Sequence, residues 1–193
     1  MKSNKSLIWT MVALIVIAAL YRIIPGRPWG FAPQIAMALF GGAVIKDKKW
    51  AFALPIFSMF LSDLLYQGLY KAGITPIYGF YDGQWLNYCL FALMVVIGFA
   101  VKKINFVNVL AASVTAPTVF FLLSNFITWS GMAGLRGLDR PFTVEGLLMA
   151  YADGLPFYKG ALLSTVFFST LLFGGYYLLT RNNNTAGAKP AHV

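Results

Sequence analysis

Long apolar stretches alternate along the chain with short charged ones. Runs without Asp, Glu, Lys or Arg cover 7–21, 28–45, 83–101, 104–135 and 160–180, and between Lys49 and Lys71 the one charge is Asp63. None of them alternates apolar and polar positions as a barrel strand does. A helix crossing hydrocarbon needs about 20 mostly apolar residues. Lipid offers backbone N–H and C=O groups no partner, so each segment must satisfy its own. The pattern predicts an all-α integral membrane protein, a six-transmembrane-helix bundle with spans near 7–24, 31–46, 50–70, 84–101, 105–128 and 160–180. These make one domain, 1–181, followed by a polar cytoplasmic tail, 182–193, expected to be disordered.

The connections between these spans are unequal. Lys46–Lys49 and Lys102–Lys103 are minimal hairpins, whereas 71–83 and 129–159 are long and rich in Gly, Pro and aromatic residues. Long loops in a compact protein are usually functional or disordered, and aromatic content argues against disorder. Within the longest, Val144, Leu147, Leu148 and Tyr151 fall at helical spacing and predict a short amphipathic helix on the external surface. Glu145 would stand in its first turn, where negative charge is favoured, and Leu155-Pro156-Phe157 would end it. A weak internal repeat is also present. Pro55 with Ser62-Asp63 and Pro117 with Ser124-Asn125 share one spacing, on two helices expected to run outward. Chance similarity of two apolar helices explains it as well as parallel repeats do.

Composition supports the membrane reading. The 193 residues are 59% hydrophobic and 11% charged, against about 25% charged in a soluble domain, which excludes an ordinary cytosolic enzyme. The net charge of +9 invites a nucleic-acid partner until the charges are placed. One set of span ends carries nine Lys and Arg and a net +8, the other six and a net +2. The positive-inside rule then puts both termini in the cytoplasm, with three external loops and no need of nucleic acid. The basic start of the chain also suits a secretory signal, but no clean small-x-small site follows and the first helix completes an even count. A single Cys89 and a single His192 leave no disulfide framework, multi-cysteine metal site or Ser-His-Asp triad. No Gly-x-x-x-x-Gly-Lys motif occurs, so ATP-derived energy would have to come from another chain. No cofactor or metal is expected, and no pair of groups suited to catalysis appears.

Candidate binding residues come from polar groups in apolar surroundings. Asp63 is the one ionisable residue well inside a span, a functional candidate by default. Arg22 and Arg27, expected at the same membrane face, would make it a structural ion pair instead. Asn87 and Asn125, beside Tyr88 and near Trp129, either glue helices together or converge on an external cavity. Arg27-Pro28-Trp29-Gly30-Phe31-Ala32-Pro33 forms a stiff turn whose Trp29 belongs to the interfacial belt or to the wall of a ligand site. Glu145 and Asp153 complete the candidate substrate-binding set. Ala38-x-x-x-Gly42 gives helix two a small-residue face for internal packing or for a separate subunit, and Cys89 is expected to be buried.

The run from Arg27 to Ala43, Pro55 with Ser62-Asp63-Leu64-Leu65, Ser124-Asn125-Phe126 and Leu155-Pro156-Phe157-Tyr158 resemble a family of small bacterial membrane proteins classed only provisionally as transport proteins. That family is similar to the substrate-binding S components of energy-coupling factor vitamin transporters. The resemblance implies an external pocket roofed by the loops between helices one and two, three and four, and five and six. It implies capture of a vitamin or related micronutrient and docking on a transmembrane coupling protein driven by two ATPase subunits. The usual docking pattern, Ala-x-x-x-Ala on the first helix, is not met, since Ala13 and Ala18 stand five apart.

The leading expectation is therefore a non-enzymatic membrane transport protein that captures a small organic micronutrient. A non-transporting accessory subunit of a larger membrane complex is the alternative, and an intramembrane enzyme a distant third. A cavity lined by Asp63, Asn87, Asn125 and Trp129 would support the first, a filled core the second.

Overall fold

The computed structural model describes residues 3–132 and 139–186. All regular structure among them is helical, in six helices: α1 (Ser3–Arg22), α2 (Gln34–Val44), α3 (Lys48–Lys71), α4 (Gln84–Phe99), α5 (Phe106–Ser130) and α6 (Val144–Ala186). Three stretches are long and apolar enough to cross a membrane, Lys48–Lys71, Phe106–Ser130 and Val144–Leu178, while α1, α2 and α4 contribute shorter apolar helices. Three starts are capped by side chains, that of α6 by Thr143, whose Oγ1 accepts from the Gly146 N–H at 3.1 Å. Asp47 accepts from the Lys49 N–H and Asn105 from the Asn108 N–H, each at 2.9 Å.

The centre of the bundle is α2, which packs on α3, α4, α5 and α6. With 11 residues it spans only about 16 Å, shorter than the expected 31–46. Ile35, Ala36, Met37, Ala38 and Leu39 are all buried. A helix apolar all round and enclosed by protein need not match the hydrocarbon thickness, because its neighbours rather than lipid cover it. Its small residues let backbones meet. A Cβ on Gly42 would strike the Val95 carbonyl of α4, and one on Gly98 would lie 2.6 Å from the Leu39 carbonyl. Gly41 packs on the carbonyl of Ala51, 2.8 Å from where its Cβ would be. That carbonyl is the one Pro55 leaves without a helical donor. The small-residue face of α2 is thus consumed inside the bundle and is closed to a separate subunit.

Three expectations are corrected. The separate amphipathic helix does not exist, because α6 runs unbroken from Val144 through Pro156 to Ala186. Contacts with α5 on both sides of the proline hold it in line: Tyr151 and Tyr158 both pack on Phe121, with ring centroids 5.6 and 4.7 Å away. Helix also enters the expected tail as far as Ala186, and 187–193 lie outside the described residues. Cys89, expected to be buried, is exposed. It shares the outer face of α4 with Trp85, Leu93 and Val96, an apolar stripe turned away from the core.

The backbone contact at Gly98 predicts that Gly98→Ala lowers thermal stability in detergent by about 1–3 kcal/mol or prevents assembly, since backbone cannot yield as a side chain can. Gly174→Ala, where nothing lies within 4 Å, should leave the melting temperature unchanged or slightly raised.

Candidate functional site

A cavity of about 390 Å³ opens at the end of the bundle where α1, α3 and α5 finish and α2 and α4 begin. Its polar lining comes from Arg22, Arg27, Gln34, Asn87, Ser124 and Asn125. Its apolar wall is largely aromatic, with Phe91 on α4, Phe120 and Phe121 on α5, and Phe157 and Tyr158 on α6. Few polar groups converging among aromatic surfaces is the usual make-up of a small-molecule site.

Beside the cavity lies a buried ionic network. Asp63, 1% exposed, accepts from Arg22 Nη1 and Gln84 Nε2 at 2.5 Å and from the Tyr88 hydroxyl at 2.6 Å. Arg22 also donates to Ser62 Oγ at 2.6 Å, lies 5.7 Å from the Tyr66 ring centroid, and offers its carbonyl to the Tyr66 hydroxyl at 2.7 Å. One carboxylate therefore joins α1, α3 and α4. With a cation and two neutral donors it is compensated as a buried charge must be. The α3–α4 connection folds back over this point, because Gly79 sits against the Asp63 carbonyl where no Cβ would fit. That brings the Tyr81 hydroxyl to Asn87 Nδ2 at 2.5 Å.

The rim is pinned to α6. Trp29 stacks on Phe157 with centroids 5.3 Å apart and planes 13° off parallel. Gly30 packs on the Phe157 carbonyl and Gly160 on the Trp29 carbonyl, both too close for a side chain. Gly30 also has φ +71°, a conformation glycine adopts without strain. Arg27 Nη1 donates to the Phe31 carbonyl at 2.6 Å, which folds the turn on itself. On the opposite wall Asn125 Nδ2 donates to the Phe121 carbonyl at 2.8 Å, and Gly154 of α6 leaves room for its side chain. Two buried polar atoms at the cavity have no hydrogen-bond partner, Arg27 Nε and Gln34 Oε1.

A family model matches the chain over residues 2–188. The chain belongs to DUF6580, a family of unknown function. No curated protein and no solved structure matches it. The match takes in all six helices and every residue of the cavity.

The predicted site residues separate into three groups. Arg27, Asn87 and Asn125 line the cavity. Asp63, Tyr88 and Trp29 stand just behind it, the first two in the ionic network and the third on the rim. Trp129, Glu145 and Asp153 lie elsewhere. Trp129 donates to the Pro141 carbonyl at 2.9 Å and meets the Phe142 ring edge-on. Glu145 is exposed in the first turn of α6. Asp153 pairs with Arg140 at 2.9 and 3.0 Å, which raises the guanidinium above its ordinary value. Both polar pairs of the internal repeat reach the cavity end, Ser62-Asp63 in the network and Ser124-Asn125 in the wall. Sequence reasoning missed Gln34, a lone amide in the charge-free run 28–45 and the same kind of signal that singled out Asn87 and Asn125. Among the described residues, no group of three or more His, Cys, Asp or Glu could hold a metal.

Removing one member of the ionic network leaves its partner charged and buried. Asp63→Asn should destabilise the bundle by about 3–5 kcal/mol, and Arg22→Gln in the same chain should restore most of the loss. A thermal-unfolding double-mutant cycle in detergent checks this.

Proposed function

We propose that this chain is an integral membrane transport protein, similar to an S component, that captures a small organic micronutrient such as a vitamin or its precursor for uptake. The observation that carries the reading is the cavity itself, a polar and aromatic chamber left open at one end of the bundle. An accessory subunit without a ligand would gain more by filling that space with side chains.

In this reading the six helices lie within a bacterial inner membrane, with the short α2 enclosed by the others, and the cavity faces outward. Both termini are cytoplasmic, a reading supported by the lysines of the hairpins at 46–49 and 102–103. A coupling protein with separate ATPases is one possible source of energy. Its contact would fall at the far end, where Phe106, Val109, Leu110, Val166, Phe173 and Tyr177 line an apolar groove between α5 and α6. Covering that groove is also what the accessory-subunit alternative would require.

Two measurements test the proposal. Native mass spectrometry of gently extracted protein should find a co-purified small molecule that is lost from Ala161→Trp, which fills the cavity, while the melting temperature stays close to that of the parent. Protein carrying a stoichiometric membrane partner and no small molecule would favour the accessory subunit. In a Cys89→Ser background, an impermeant maleimide should label Thr75→Cys in intact spheroplasts and Lys103→Cys only after permeabilisation. The reverse pattern would invert the topology.

A further inference from the structure

The charges at the cavity do not balance. Arg22 and Arg27 both line it. Arg22 is neutralised by Asp63, and both oxygens of that carboxylate are already occupied, Oδ1 by Arg22 and Oδ2 by Gln84 and Tyr88. The other ion pair among the described residues is Arg140–Asp153, away from the cavity. Arg27 therefore keeps a positive charge without a counterion, and its Nε is a buried donor with nothing to accept from it. A half-buried guanidinium in this condition favours an incoming anion, and its planar fork suits a carboxylate.

Gln34 supplies the complementary vacancy. The residue is 1% exposed, its Nε2 faces the Ala18 carbonyl at 3.5 Å, and its Oε1 has no partner. Leaving a buried acceptor unpaired costs about 1–3 kcal/mol, so the site is built for a donor that the protein does not provide. The same cavity wall carries Phe91, Phe120, Phe121 and Phe157, aromatic side chains suited to contact with a flat ring.

We propose, building on the capture reading above, that the ligand is a ring-bearing organic monoanion of the carboxylate class. Its acid group pairs with Arg27, an N–H or O–H on its body donates to Gln34 Oε1, and its ring lies among the phenylalanines. The cavity selects against neutral amides of the same shape, which bring no charge to Arg27, and against cations, which would face it unscreened.

The test uses 6-hydroxy-2-naphthoate and its neutral analogue 6-hydroxy-2-naphthamide, measured by equilibrium dialysis against the full chain in lipid nanodiscs. The acid should bind at least about tenfold more tightly than the amide, the scale of a charge-assisted hydrogen bond. Arg27→Gln should erase that preference by weakening the acid alone, with amide binding reporting that the variant is folded. Arg27→Lys, which keeps the charge, should retain part of the preference. Equal binding of both compounds, unaffected by Arg27→Gln but lost in Ala161→Trp, would overturn the anion assignment and leave the capture site standing. Failure of both compounds to bind, or binding indifferent to Ala161→Trp, would overturn the capture reading and this inference with it.

Discussion

Everything in this bundle is arranged around the close approach of α2 to its neighbours. Gly42 and Gly98 bring the backbones of α2 and α4 together, and Gly41 does the same toward α3 at the carbonyl that Pro55 leaves free. Without a hydrophobic drive between helices in lipid, such contacts are what association rests on. They fix a short helix on the axis of the bundle. Because α2 begins only at Gln34, the space beyond its N-terminal end is not filled by helix, and the cavity opens there. The site is in this sense a product of helix length as much as of its lining.

The second constraint is electrostatic. Asp63 is affordable in the interior because three donors from α1 and α4 surround it. In holding Arg22 it also fixes the orientation of one cavity-lining cation and leaves the other, Arg27, as the uncompensated charge of the site. The same carboxylate thus joins three helices and, in the proposed reading, sets the charge that a ligand would meet, in keeping with the costs of burying charge in membrane proteins.

Much of this was legible from residue order alone. Charge-free runs located six helices, and isolated polar residues within them located Asn87, Asn125 and the Asp63 network. What escaped had physical causes. Pro156 reads as a helix end, but the aromatic contacts of Tyr151 and Tyr158 with Phe121 act across it, a tertiary effect that local chemistry does not encode. Trp129 stands one turn from Asn125 yet turns to Pro141, because its indole N–H finds a carbonyl there. Gln34 was passed over because nothing in its local sequence shows that the surrounding helices pack round it and make it interior. Cys89 looked like core because periodicity in an all-apolar helix does not distinguish a protein-facing side from an outward one.

The continuity of α6 has a mechanical meaning. Phe157 and Gly160 clasp the turn that carries Arg27, and Val166 to Tyr177 form one bank of the groove at the opposite end. Both stations lie beyond Pro156, on a stretch of helix without a proline, and from Phe157 to Tyr177 the distance along the axis is about 30 Å. Such a segment is a stiff lever. Tilting it about its middle would move both stations at once, so that whatever grips the far end also bears on the rim of the cavity.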